Sequence, residues 1–240
     1  MIVYFDESYD NAHDYLLYGA LFLPDSSTLH RRIEDVRRET GCEVEIKYTW
    51  CKTAFGYRVC SRVVDEFIAD SAYFRCVVVP QHKFDYSRFG RPDEPAALLK
   101  ARAYKKFTEM LLHPNAMQVK DAVFLADELT RCRGDEFLER ISERFNPPGG
   151  KRTFRHLAEV SSKIRSYQCL QACDLLLGCV LNNLRPTANK YKNQIREYLC
   201  ERLDVPSFLP TAWEHAGLRE VRDRCPKFNV WYWRAKKWPR

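Results

Sequence analysis

The sequence lacks the spacings that announce several common chemistries. None of its ten cysteines forms a C-x-x-C pair, so the signature of zinc ribbons and thioredoxin-like sites is missing. The six histidines show no H-x-E or H-E-x-x-H arrangement, the patterns of zinc deaminases and zinc proteases. No Gly-rich phosphate loop and no G-x-S-x-G elbow occurs, which argues against an NTPase or a serine hydrolase. No apolar run approaches the roughly 18 residues that span a bilayer. The run Ile2-Val3-Tyr4-Phe5 has no positive flank and ends at Asp6, unlike a signal peptide. Internal repeats, low-complexity stretches and linker-like segments are also missing. The expectation is a single domain over residues 1–240, cytoplasmic, with reduced cysteines and no membrane partner.

What is present is an ordinary globular composition, 45% hydrophobic and 30% charged, with a net charge of +7 and a bias toward anionic partners such as nucleic acid. The oligomeric state is not readable. Runs rich in Val, Tyr and Phe predict strands at 2–6, 15–23, 73–79, 119–127, 153–160 and 228–233. The short link between the first two implies an antiparallel hairpin. Helical periods cover 25–40, 57–70, 96–112, 134–145, 166–184 and 188–202. Asp25 or Ser26 can cap the first of these, and residues 43–50 alternate like a short extended segment. Cys169 and Cys173 are four apart on the 166–184 helix, a spacing read as core packing. Setting aside a helical insertion at about 25–71, the core order is β-β-β-α-β-α-β-α. That is an α/β fold with an RNase H-like mixed sheet flanked by helices, followed by a C-terminal helix and aromatic strand at about 188–240.

The acids carry the chemistry. Asp6-Glu7 ends the first strand and Asp127-Glu128 ends the fourth. If those strands are parallel neighbours, their carboxylates emerge at one sheet edge, where open α/β sheets bind ligands. Adjacent residues in a strand point to opposite faces, so Asp6 ranks above Glu7 and Asp127 above Glu128. Gln171, Asp174 and Gly178 share one face of an apolar helix, and an ionised Asp there is costly unless paired or metal-bound. Gly178 costs roughly 1 kcal/mol relative to Ala in a helix, which close approach of another backbone would explain. Converging carboxylates suit Mg²⁺ or Mn²⁺. Two such ions about 4 Å apart serve phosphodiester cleavage by activating water and stabilising the leaving oxygen.

These residues resemble the domain of unknown function 3800 family, a prokaryotic group regarded as RNase H-like. The motifs are Tyr4-Phe5-Asp6-Glu7-Ser8, Glu45-Ile46-Lys47, the strand ending in Asp127, Ser162-Lys163, Leu170-Gln171-Ala172-Cys173-Asp174, and Lys227-Phe228-Asn229-Val230. Tyr9 stands where the family usually has Gly, and Cys173 where it usually has Ala; neither departure removes a carboxylate. The resemblance implies metal-dependent nuclease chemistry, with Glu45 as an extra ligand and Lys47 as a phosphate contact.

Each residue also has a plainer reading. A strand-end Asp can be a turn former or a helix cap, and Asp174 can be one half of a buried ion pair. Glu45, Lys47 and Lys163 can be solvated, though Lys163 can instead hold a phosphate. Gln171 can orient Asp174 or hydrogen-bond buried backbone. The basic pairs, Arg37-Arg38 among them, read as solvent-facing. Trp231, Trp233 and Trp238 interleave with Arg234, Lys236 and Lys237, a pattern suited to base stacking or to strand packing. The expected function is a metal-dependent nuclease using Asp6, Asp127 and Asp174, with Glu7, Glu128, Gln171 and Lys163 in support. The alternatives are a non-catalytic nucleic-acid-binding or adaptor protein, and a metal-free carboxylate-pair hydrolase such as a glycosidase.

Overall fold

A computed structural model describes residues 1–9, 14–81, 85–116, 119–128, 136–209 and 226–233. Among them, six strands form one mixed sheet: β1 (Ile2–Tyr9), β2 (Tyr15–Leu23), β3 (Tyr73–Pro80), β4 (Ala122–Asp127), β5 (Phe154–Val160) and β6 (Phe228–Tyr232). Their order across the sheet is β5-β4-β1-β2-β3-β6. β2 runs antiparallel to both its neighbours, while the β1–β4, β4–β5 and β3–β6 pairs are parallel. The short link after β1 permits only an antiparallel return, and parallel pairing needs the longer helical crossovers that precede β4 and β5.

The helices are α1 (Leu29–Thr40), α2 (Ala54–Ala69), α3 (Ala96–Ala116), α4 (Phe137–Phe145), α5 (Gln168–Leu184) and α6 (Lys190–Arg202). Strand alternation divides the core in two. Tyr4, Leu21, Phe74 and Leu125 pack with α1, α2, α5 and α6 on one face. Val3, Phe5, Tyr18, Phe124 and Ala126 pack with α3 and α4 on the other. The second core is largely aromatic: Phe5 lies 6.0 Å from both Tyr104 and Phe137, and Tyr18 lies 5.1 Å edge-on from Tyr104. α5 lies directly on the sheet, where Cys173 Sγ donates to the Tyr4 carbonyl at 3.8 Å. That contact puts α5 over the strand that carries Asp6.

The predicted α/β order and its strands are present, with three corrections. β1 does not end at Asp6-Glu7 but continues to Tyr9. Residues 43–47 form no strand, and Tyr48–Trp50 is a single 3-10 turn. α1 starts at Leu29 rather than 25, since Asp70 fixes the preceding turn: its carboxylate accepts from the Ser27 hydroxyl at 2.6 Å and the Thr28 N–H at 2.8 Å. The eight described cysteines are free and buried, Cys169 and Cys173 among them. Cys132, Cys225 and the basic aromatic tail with Arg234, Lys236, Lys237 and Trp238 lie outside the described residues. Among the described residues no helix is long and apolar enough to cross a membrane.

Candidate active site

Register sets the site. Phe5 pairs with Ala126 across the parallel β1–β4 ladder, so Asp6 and Asp127 follow side by side on strands about 4.8 Å apart. Asp6 lies on the same face as Tyr4, and Asp127 on the same face as Leu125, the face that α5 covers. Asp174 comes down from α5 onto the same place. Asp6 is 6% exposed. Burial raises its carboxyl well above the usual range, and the charges of Asp174 and then Asp127 raise it further. The Glu7 N–H, 2.8 Å from Asp6 Oδ1, works the other way.

Burial also pushes Asp174 up, and the Tyr48 N–H, 2.8 Å from Oδ2, and the Lys47 ammonium pull it back. Glu45 and Asp127 add repulsion. Glu45 and Lys47 pair with each other at 3.0 Å and are partly buried, not solvated. Burial opposes the Lys47 charge, but Glu45, Asp174 and Asp127 together hold that charge above its ordinary range. The acidic cluster therefore contains its own cation.

The 43–47 segment is held in place by side chains. Gln171 Oε1 accepts from the Ile46 N–H at 2.9 Å and from Arg37, and its Nε2 donates to the Ser162 carbonyl at 2.6 Å. The Ser162 N–H in turn reaches Asp127 Oδ1 at 3.0 Å. Gln171 thus hydrogen-bonds buried backbone and ties Asp127, α5 and the 43–47 segment together. Arg37 is buried, against the solvent-facing reading. Its guanidinium donates to Gln168 Oε1 at 3.0 Å, the Val44 carbonyl at 2.8 Å and the Cys42 carbonyl at 3.2 Å, besides Gln171. The sequence signal for it was its phase: Arg37 follows Ile33 by four and Leu29 by eight, on the apolar side of α1.

Gly178 lies against a side chain, not a backbone. A Cβ there would stand 2.1 Å from Tyr48 Cγ, so only Gly lets the Tyr48 ring rest on α5 while its N–H reaches Asp174. Gly178→Ala is expected to destabilise the chain by about 1–3 kcal/mol through overpacking, outweighing the helix propensity that Ala supplies. The Tyr48 amide should exchange with solvent faster than in the parent; an unchanged rate and melting temperature would remove this role.

Three of the four supporting residues place their side chains elsewhere. β1 continues to Tyr9, so Glu7 lies on the α3 face, across from Tyr18 in register. Glu128 is exposed beyond β4, with its N–H on the Val160 carbonyl at 3.0 Å. Lys163 is exposed on the turn after Ser162. Among the described residues no three His, Cys, Asp or Glu side chains are already gathered to hold a metal ion. No protein-family profile and no curated protein matches this chain.

Proposed function

We propose that this chain is a metal-dependent nuclease of RNase H-like fold that hydrolyses phosphodiester bonds. The observation that carries the reading is that Asp6, Asp127 and Asp174 approach one another from two neighbouring parallel strands and a crossing helix, each raising the cost of charging a neighbour. Two further features support it. The element order, setting aside α1 and α2, is β-β-β-α-β-α-β-α, and the strand order places β1 between β4 and β2. The motifs shared with the domain of unknown function 3800 family fall largely around the same spot.

The donor set is all carboxylate oxygen, which fits Mg²⁺ or Mn²⁺, and buried like charges gain from a cation. Asp6, Asp127 and Asp174 would hold the metal, with Glu45 as a further oxygen donor. When bound, the ion supplies charge stabilisation and an activated water. The protein's own work is positioning. Ser162 and Glu128 N–H groups fix Asp127, Tyr48 N–H fixes Asp174, and Glu7 N–H fixes Asp6. Lys47, held by Glu45, places a positive charge beside the carboxylates for an incoming phosphate.

The Lys47 ammonium also favours a second reading, in which it neutralises the acids as a structural ion pair and the protein binds nucleic acid without cleaving it. One experiment separates the two. With labelled DNA and RNA strands and Mg²⁺ or Mn²⁺, the parent should give cleavage products that EDTA abolishes. The Asp6→Asn, Asp174→Asn double variant should give none while keeping its circular dichroism spectrum. Full activity in that variant sinks the nuclease reading, and salt-dependent binding without any metal-dependent product selects the second.

A further inference from the structure

A groove leaves the acidic cluster at Asp174 and follows α5 to the first turn of α6. Its cavity is about 470 Å³, bordered by Tyr9, Tyr48, Gly178, Arg185 and Lys192 besides Asp174. From Asp174 to Arg185 it follows about 16 Å of helix. Its lining carries charges of both signs. The Lys192 ammonium stands 4.9 Å from the Tyr48 ring centroid, and among the described residues it forms no ion pair. Arg185 is already engaged, paired with Asp14 and lying 5.7 Å from the Tyr15 ring. The first turn of α6 carries Lys190 and Lys192 and no acid, the reverse of the helix-dipole preference. Cations gathered there without a counter-ion match an anion that arrives from outside.

We propose that this groove holds one unpaired strand of nucleic acid. A backbone phosphate sits on Lys192, a neighbouring base lies against the exposed Tyr9, and the chain leads into the acidic cluster. The proposal rests on the nuclease reading for what happens at the Asp174 end, and on the groove alone for binding. Size and lining select a single strand. A cavity of this volume is in the range of small-ligand clefts, about 300–1,000 Å³, whereas a duplex has a major groove about 12 Å wide on its own. An exposed aromatic ring in the same groove as a cation is how unpaired bases and their backbone are held without sequence preference. Tyr9 is 56% exposed and borders the groove.

The test uses the full chain in EDTA, so that binding is read without cleavage. Short fluorescein-labelled oligothymidylate and oligouridylate strands, and their duplexes with complementary homopolymers, are titrated by anisotropy over a range of salt. Single strands should bind more tightly than duplexes, and the two single strands together distinguish DNA from RNA. Lys192→Gln should weaken binding several-fold and reduce the slope of log K against log salt by about 0.7, the loss of one phosphate contact on a single strand. Lys192→Glu should weaken it further. Both variants should keep the parent's circular dichroism spectrum, since the ammonium has no carboxylate to lose and gives up only its contact with the Tyr48 ring. Equal affinity for duplex and single strand, or an unchanged slope in both variants, overturns the groove. The readings fail separately. Binding through Lys192 with no cleavage in Mg²⁺ or Mn²⁺ keeps the groove and removes the nuclease. Cleavage with an unaltered KM in Lys192→Gln removes the groove and keeps the nuclease.

Discussion

Asp6→Asn is expected to be more stable than the parent at pH 7 in the absence of divalent metal, and inactive in its presence. The buried Asp6 carboxyl is raised well above the usual range by burial and by Asp174 and Asp127. The sign follows from linkage. In the unfolded chain Asp6 loses its proton near pH 4, while the native state keeps it to higher pH. Between those two values the native state binds more protons, so stability falls as pH rises through the window. Asn has no proton to lose and retains the Oδ1 that accepts the Glu7 N–H. The gain should be on the order of 1 kcal/mol, about 2–4 °C in Tm for a chain of this size. It should vanish below pH 4. Melting curves of both proteins in EDTA across pH 3–8 measure it. Added Mg²⁺ or Mn²⁺ should then raise the parent's Tm with concentration and leave the variant behind. A variant less stable than the parent at pH 7 would show that Asp6 is a stabilising carboxylate, not a strained one.

Arg37→Met should have the larger effect on stability, though Arg37 touches none of the three aspartates. Truncation removes the donor for the side-chain oxygens of Gln168 and Gln171 and for the carbonyls of Cys42 and Val44, most of them buried. Leaving buried acceptors without donors costs about 1–3 kcal/mol each before relaxation. A loss of about 3–5 kcal/mol is expected in urea denaturation. The loss should be accompanied by faster amide exchange over residues 42–48, since Arg37 holds that segment on α5. If exchange there stays slow, another contact holds the segment.

Much of the fold was readable because local pattern and burial agree. β2 falls at 15–23 as its apolar run predicts, and Asp6 and Asp127 end up side by side because their strands do pair in parallel. What could not be read depends on partners far along the chain. Val44, Ile46 and Tyr48 alternate as in a strand, yet the Ile46 and Tyr48 N–H groups go to Gln171 and Asp174 instead of a ladder. The start of α1 depends on Asp70, 42 residues beyond Thr28. Lys47 and Glu45 read as surface charges because nothing local announces that α5 passes under them. Glu7 shows the opposite case, where alternation alone separated it from Asp6.

The acids at the site come from four distant stretches of chain, residues 6, 45, 127 and 174, so the constellation has a high contact order. Folding has to close several large loops before any two of its charges face each other. A chain emerging from a ribosome carries Asp6 long before Asp174, which follows only after β4, β5 and the first turns of α5 have been made. Any nuclease activity is therefore a property of the finished fold. A partly made chain would carry the first carboxylate harmlessly through synthesis.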